Sequence, residues 1–201
     1  MSLKVKSLLI ILIIVFVDQA LKIWIKTHLM LYQEIRVFDW FFIHFVENPG
    51  MAFGMEFFGK YGKLFLSLFR IVAVSAIGYY LYRMIEKQSP VGLIISISMI
   101  LAGALGNIID SAFYGMLFND SYSQVAQFLP EGGGYAGFLH GKVVDMFYFP
   151  LLKGTYPSWI PFIGGDDFIF FRPVFNVADS SITLGILSII LFQKKFFKES
   201  R

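Results

Sequence analysis

The chain has 201 residues, of which 57% are hydrophobic and 15% are charged, and its net charge is +3. Because soluble proteins carry about 25% charged residues, this composition indicates an integral membrane protein. The net charge is too small to favour a nucleic-acid partner. The sequence contains no cysteine, which excludes disulfides, thiolate metal ligands and cysteine nucleophiles.

Four apolar stretches are long enough to cross a bilayer, which takes about 20 residues. They predict transmembrane helices over residues 5–25, 62–82, 91–112 and 176–196. The first stretch begins like a signal peptide, but no A-x-A-like cleavage site follows it, so we expect it to be retained. We expect residues 1–201 to form a single, mainly α-helical membrane domain with these four helices.

The basic residues indicate how the predicted helices are oriented. Those at the ends expected to share one side are Lys4, Lys6, Arg83, Lys87, Lys194, Lys195, Lys198 and Arg201. The positive-inside rule therefore predicts that both termini are cytoplasmic. The longer segments at residues 26–61 and 113–175 are then extracytoplasmic.

The two extracytoplasmic segments differ in composition. Residues 26–61 are rich in aromatic and β-branched residues and contain Asn48-Pro49-Gly50, a pattern that predicts a small β-sheet lying on the membrane. Residues 118–140 are polar and glycine-rich. They predict a solvated, mobile loop.

Three residues of the third predicted helix lie on one face, because Gly103, Asn107 and Asp110 are spaced i, i+4 and i+7. A buried amide or carboxylate needs partners, since an unsatisfied polar group is costly inside a membrane. This face therefore points into the bundle. There Asn107 and Asp110 either hold helices together or brace a functional site.

Further charged groups lie within the first two predicted helices. Asp18 and Lys22 are one turn apart and can neutralise each other in an i, i+4 ion pair, with Lys22 extending toward water. Arg70 lies well inside the second helix and needs a counter-charge. Asp110, Asp18 and a lipid phosphate are all candidates for that partner.

Asp145 and Asp179 each lie among apolar residues beside a predicted helix. Asp179 follows Asn176, a favoured N-cap, so the positive end of the helix dipole favours its ionised form. Asp145 lies in an apolar, strand-like stretch at the membrane surface, where desolvation favours its protonated form. We therefore expect the two to meet, share a proton and hold a water as general base and general acid. Each could instead be a structural carboxylate, for example one that pairs with Arg172.

Other chemistries have less support in the sequence. For Ser180 and Ser181, the only candidate bases are Lys22 and a distant histidine, so a serine mechanism has little support. The three histidines, His28, His44 and His140, are scattered without metal-ligand spacing. We therefore expect neither a metal nor another cofactor.

Five motifs follow one another along the chain: Asp18 with Lys22, Asn48 to Gly54, Gly103 to Asp110, Gly141 to Asp145, and Phe175 to Ser180. In this order they resemble the lipoprotein signal peptidases (signal peptidase II), the four-span aspartyl proteases of bacterial membranes. The resemblance covers nearly the whole chain, and it implies that Asp145 and Asp179 are the catalytic dyad and that the sheet is the family's small β-cradle. It also implies supporting or substrate-binding roles for Asp18, Lys22, Asn48, Gly54, Asn107, Asp110, Asn176 and Ala178.

The chain departs from the family's pattern in two places. The family usually carries an arginine directly after the aspartate that matches Asp110, where this chain has Ser111. We predict that Arg70 supplies the missing guanidinium. Residues 116–140 and 151–171 are also long compared with compact members, and we expect them to form a lid over the substrate.

The resemblance implies a membrane endopeptidase that removes signal peptides from prolipoproteins. Cleavage is expected just before the diacylglyceryl-modified cysteine, at the outer surface of the bacterial cytoplasmic (inner) membrane. The expected partners are the lipidated prolipoprotein and membrane lipid, and the enzyme is expected to be a monomer. Two other classes fit the composition, namely a small proton-coupled transporter with intramembrane aspartates and a structural membrane subunit.

Overall fold

A computed structural model of the chain describes residues 1–49, 62–170 and 173–197, and only the backbone of residues 152, 153 and 169. The predicted site residue Gly54 and the possible ion-pair partner Arg172 lie outside the described residues, as do the basic residues Lys198 and Arg201.

Three helices within the described residues are long and apolar enough to cross a membrane: Leu3–His28, Gly62–Glu86 and Val91–Leu117. The first two are α1 and α2. The third consists of α3 (Val91–Ile109), a π-helical turn (Asp110–Tyr114) and a short α4 (Gly115–Leu117). These helices agree with the first three predicted spans and extend each of them by a few residues.

The fourth predicted span is a shorter apolar helix. α5 spans Val177–Leu191, which is 15 residues, and α6 spans Gln193–Phe196. The span predicted at residues 176–196 therefore begins at the expected N-cap, Asn176, but it is divided into two helices at Phe192.

The helices pack around α3, which contacts α1, α2 and α5. Glycines permit the close approach of α3 and α5. A Cβ atom at Gly103 would collide with the backbone carbonyl of Ala178, and one at Gly185 would lie 2.7 Å from the carbonyl oxygen of Ser96. Because the two backbones nearly touch, Asn107, one turn after Gly103, reaches the first turn of α5.

The described residues form six strands: β1 (Glu34–Phe38), β2 (Phe41–Asn48), β3 (Val143–Tyr148), β4 (Leu152–Thr155), β5 (Asp167–Phe170) and β6 (Val174–Phe175). The main sheet is antiparallel in the order β1-β2-β3-β6, and β4 pairs with β5 in a second sheet. The sheet predicted within residues 26–61 is confirmed for β1 and β2. Its third strand comes from residues 113–175, with Asp145 opposite Val46.

The loop between α4 and β3 packs against the main sheet and the end of α1. Phe118, Ser121 and Ala126 are buried. The prediction of a solvated loop over residues 118–140 is therefore wrong at these positions, because Phe118 and Ala126 join an apolar core and Ser121 hydrogen-bonds to the buried Lys26. That core also contains Ile25, Leu29, Phe45, Tyr114, Val144 and Met146.

The second predicted insertion forms the β4–β5 hairpin, described as far as residue 170. Its tip exposes Trp159 and Phe162. A role of either insertion as a lid stays a prediction.

Candidate active site

The first turn of α5 positions Asp179. Asn176 is the N-cap of this helix, and its side-chain oxygen accepts a hydrogen bond from the Asp179 backbone N–H at 2.8 Å. The Asp179 carboxylate in turn accepts a hydrogen bond from Asn107 Nδ2, also at 2.8 Å. The predicted cap is therefore confirmed, and α3 fixes the Asp179 side chain.

Asp145 lies in the middle of β3 with only 4% of its surface exposed. Its Oδ1 atom accepts a hydrogen bond from Asn176 Nδ2 at 2.7 Å, and the Asn48 side chain also hydrogen-bonds to it. Burial, followed by the negative charge of Asp179, raises the pKa of Asp145 to about 7, against the opposing effects of Lys22 and the two asparagines. This agrees with the expectation that desolvation favours the protonated form of Asp145.

The amide of Asn176 links the two aspartates. Its oxygen accepts from the Asp179 backbone, whereas its nitrogen donates to Asp145 and to the backbone carbonyl of Val144 at 3.2 Å. A longer contact of 3.3 Å joins the same nitrogen to Asn107 Oδ1. The structure thus brings Asp145 and Asp179 into one site, although they are far apart in the sequence.

Lys22 of α1 is fully buried, with 0% of its side chain exposed. Its Nζ atom lies 2.9 Å from Asp18 Oδ2, 2.8 Å from Asp110 Oδ2 and 2.9 Å from Asn107 Oδ1. The predicted i, i+4 ion pair with Asp18 is therefore confirmed. The expectation that Lys22 extends toward water is wrong, because two carboxylates and an amide hold it inside the bundle.

Asp18 and Asp110 also connect α1 and α3 to the site. Asp18 Oδ1 accepts a hydrogen bond from the backbone N–H of Ala178 at 2.9 Å. Asp110 Oδ2 accepts one from the backbone N–H of Val144 at 3.1 Å. Each buried carboxylate therefore fixes the residue directly before one of the two predicted catalytic aspartates.

Gln19 and Tyr114 belong to the same network, although no sequence pattern singled them out. Gln19 Nε2 donates to Asp18 Oδ2 at 3.1 Å and to Asp110 Oδ1 at 2.9 Å. Tyr114 Oη donates to Gln19 Oε1 at 3.1 Å. Gln19 could have been found from the sequence, because it is an amide within an apolar run. Such an amide needs buried partners as much as Asn107 does.

Arg70 reaches the site from α2. Its Nη1 atom donates to Ser111 Oγ at 3.1 Å, and the negative charge that acts on it most strongly is that of Asp179, followed by Asp110 and Asp145. The guanidinium therefore lies against Ser111, the position at which the resemblance implies an arginine. The Ser111 hydroxyl in turn donates to the carbonyl oxygen of Asn107 at 3.0 Å.

A cavity of about 290 Å³ lies beside Asp179 between α2, α3 and α5. Its lining consists of Arg70, Ala73, Val74, Ala104, Asn107, Asp179 and Ile182. The cavity is thus mostly apolar, with the charged and amide groups of the site at its wall.

The alternative nucleophiles and metal ligands contact neither Asp145 nor Asp179 in the hydrogen bonds of their side chains. Ser180 and Ser181 donate to the backbone carbonyls of Asn176 and Met99. His28 and His140 contact nearby backbone carbonyls, and His44 pairs with Glu34. Across residues 1–49, 62–170 and 173–197, no group of three or more histidine and carboxylate side chains could hold a metal.

A family model of signal peptidase (SPase) II matches residues 10–195. The chain belongs to the signal peptidase II family. It is 53% identical over 189 residues to the lipoprotein signal peptidase of Porphyromonas gingivalis, covering 94% of this chain and 82% of that relative. The lipoprotein signal peptidase of Amoebophilus asiaticus is 37% identical over 184 residues, covering 90% of this chain and 74% of that relative.

The fold of this signal peptidase II is shared with a solved structure. A bacterial membrane enzyme determined by the in meso method at 1.9 Å resolution matches with a TM-score of 0.61 and 26% identity, covering 94% of this chain and 93% of that one. The chain is accordingly an aspartic-type protease of a bacterial membrane.

Proposed function

We propose that this signal peptidase II chain removes the signal peptide from bacterial prolipoproteins, with Asp145 and Asp179 activating the attacking water. The cut lies directly before the diacylglyceryl-modified cysteine. The observation that carries the proposal is the Asn176 amide, which binds the Asp145 carboxyl and caps the helical turn of Asp179. A two-carboxylate acid–base mechanism requires two such groups, from different elements, at one site.

The two carboxyl groups share one proton, because like charges in a buried site do not both ionise easily. Since the pKa of Asp145 is raised to about 7, Asp145 is the member that holds this proton. Asp179 accepts a proton from the water as the water oxygen attacks the scissile carbonyl carbon, while Asp145 donates to the carbonyl oxygen. On collapse, the proton on Asp179 passes to the leaving amine, and the proton on the oxygen returns to Asp145.

The orientation of Asn107 supports the role of Asp179. Its Oδ1 atom accepts a hydrogen bond from the ammonium of Lys22, which can only donate, so its Nδ2 atom faces Asp179. Lys22 and Asn107 therefore present a donor to the carboxylate and hold it in one rotamer.

The cavity beside Asp179 suits an apolar signal segment. Ala73, Val74, Ala104 and Ile182 leave room for small apolar side chains next to the scissile bond. Arg70, at the wall of the cavity, donates to a peptide carbonyl or to the developing oxyanion. It thereby supplies the guanidinium that Ser111 lacks.

We place both termini in the cytoplasm and the site at the extracytoplasmic surface of the bacterial inner membrane. The basic residues Arg83, Lys87, Lys194 and Lys195 accompany an apolar core at the end of the bundle away from the aspartates, and the positive-inside rule makes that end cytoplasmic. That core includes Leu81, Leu93 and Phe196, and Leu3 and Met84 pack against it. The enzyme acts as a monomer, since one chain contributes both aspartates and their described partners. Its apolar helices are in contact with membrane lipid.

The test is cleavage of a lipidated precursor peptide by purified protein in detergent. Asp145→Asn and Asp179→Asn should each lower turnover by at least about 10³-fold, because each removes one member of the acid–base pair. Asp39→Asn, an exposed position in the turn between β1 and β2, is the matched control and should leave turnover unchanged.

Substantial cleavage by either folded asparagine variant would refute the dyad. Cleavage at a different bond, mapped by mass spectrometry, would contradict the proposed position. Proton uptake by protein-containing vesicles without any peptide cleavage would favour the transporter alternative.

A further inference from the structure

Lys26 lies one turn after Lys22 on α1 and is also fully buried, yet the catalytic steps described above do not involve it. Its Nζ atom forms an ion pair with Glu47 Oε1 on β2 and donates to Ser121 Oγ at 2.9 Å. The rings of Tyr135 and Phe118 lie 5.0 Å and 5.3 Å from the same atom. A buried ammonium is stable only with such partners, so these contacts fix Lys26 firmly.

Glu47 is shared between two lysines. Its side chain is 3% exposed, and its Oε2 atom pairs with Lys142 Nζ at 3.0 Å. Burial acts to raise the pKa of Glu47, but the charge of Lys26, together with hydrogen bonds from both lysines, outweighs it and lowers that pKa. The Lys142 backbone N–H also donates to Tyr135 Oη at 2.7 Å. Lys26, Glu47 and Lys142, the Lys26 cluster, therefore join α1 to β2 and to the residue that precedes β3.

The alternation of side chains along a strand relates this cluster to the active site. Glu47 directly precedes Asn48, whose side chain hydrogen-bonds to Asp145. Because successive residues point to opposite faces, Asn48 and Asp145 share the face of the site, and Glu47 lies on the reverse face. The backbone of Glu47 is paired with Val144, directly before Asp145. The Lys26 cluster thus holds the back of the two strands that carry Asp145 and Asn48.

Lys22 and Lys26 are spaced i, i+4 and lie on one face of α1. Lys22 holds Asn107, the donor to Asp179, whereas Lys26 holds Glu47 on the strand beside Asp145. We propose that Lys26, Glu47 and Lys142 are positioning residues, which set the position of Asp145 relative to Asp179 through α1. This inference rests on the proposed function, in which those two aspartates share the catalytic step.

Two changes test the positioning role in the full chain, purified in detergent and assayed with a lipidated precursor peptide. Lys142→Met removes a side chain that is 32% exposed and leaves the Lys26–Glu47 ion pair intact, so the protein should fold normally. Lys26→Met with Glu47→Gln removes both buried charges together, which avoids leaving one of them unpaired. Glu86→Gln, an exposed carboxylate at the end of α2 away from the aspartates, is the matched control.

We expect kcat to fall about 3-fold in Lys142→Met and about 10- to 100-fold in the double variant of Lys26 and Glu47. Small displacements of a catalytic group lower the rate by such factors. KM should stay within about 2-fold, since the substrate cavity is untouched. Glu47→Asp keeps the charge but shortens the side chain. Its kcat should therefore lie between that of Lys142→Met and that of the double variant. Rates are expressed per folded protein, measured at least 10 °C below each Tm.

Wild-type kcat in Lys142→Met would overturn the inference, and this variant decides alone if the double variant does not fold. A rise of KM with kcat unchanged would also overturn it, because that result describes a substrate contact. Asp145→Asn in the same assay separates the two proposals. Activity in Asp145→Asn refutes the proposed function, whereas an inactive Asp145→Asn beside unchanged Lys26-cluster variants refutes only the positioning role.

Discussion

The strand region around Asp145 and the helix start around Asp179 hold their carboxyl groups in different ways. Asp145 is almost completely buried in a β-ladder, where it hydrogen-bonds to the side-chain amides of Asn176 and Asn48. Asp179 is partly exposed, lies on the first turn of α5 and lines the cavity with Arg70. The strand thus provides a carboxyl whose pKa burial raises, and the helix start provides a carboxyl at the wall of the cavity.

The connection between these regions breaks if Asn176 is replaced by serine. Serine is as good an N-cap as asparagine, so the cap of α5 is kept, but the donor to Asp145 and to the Val144 carbonyl is lost. We expect kcat/KM to fall by about 10²- to 10³-fold, as when one oriented donor is removed from an active site. Asn176→Ala, the companion variant, should lose the same activity and also about 1 kcal/mol of stability. Wild-type activity in the serine variant, measured by peptide cleavage, would show that the amide does not couple the aspartates.

Replacing Arg70 tests how the cavity beside Asp179 contributes to turnover. Arg70→Ala should lower turnover by about 10- to 100-fold, because the cavity loses its guanidinium donor. Arg70→Lys keeps the charge but lacks the planar fork, so its activity should be intermediate. The exposed Arg36→Ala serves as the control in cleavage and thermal-unfolding assays. Unchanged turnover in Arg70→Ala would rule out its proposed role.

The pH dependence of stability tests the raised pKa of Asp145 on β3. The pKa of Asp145 is about 7 in the folded chain and about 3.9 in an unfolded one, so the folded state binds this proton more tightly. The stability that this proton contributes is complete below about pH 4, declines between pH 4 and 7 and is lost above pH 7. Asp145→Asn cannot ionise, so its Tm should rise relative to wild type by several degrees from pH 5 to pH 8. A Tm difference that stays constant over this range, with Asp39→Asn as the reference, would contradict the raised pKa.

The smallest effect is expected at Ser111. Ser111→Ala removes the hydrogen bond to Arg70, whose net contribution is about 1 kcal/mol. Turnover should fall by no more than about 3-fold, because Arg70 keeps its attraction to Asp179. A loss as large as that of Arg70→Ala in the same cleavage assay would assign the role to the hydroxyl instead.

Much of the fold follows from local patterns. Long apolar runs mark α1, α2 and α3, because bilayer thickness sets their length. Asn176 marks the start of α5, because an N-cap acts on the next few backbone N–H groups. The break at Phe192 and the burial of Phe118 were not predicted, since neither depends on the local pattern alone.

The candidate site divides in the same way. That Asp18, Lys22, Asn107 and Asp110 need buried partners follows from the sequence alone, because charged and amide groups are costly among apolar residues. Which partners they have was decided by the tertiary structure, which also recruits Gln19 and Tyr114.

The sequence by itself determined that this is a membrane protein with carboxylates at the ends of apolar helices. Only the tertiary structure decided that Asp145 and Asp179 lie on either side of the Asn176 amide, and that Arg70 lies against Ser111. The physical reason is the separation along the chain over which each interaction acts. Hydropathy and capping act within a few residues, whereas the pairing of β2 with β3 and the packing of α3 on α5 join residues that are distant in the chain.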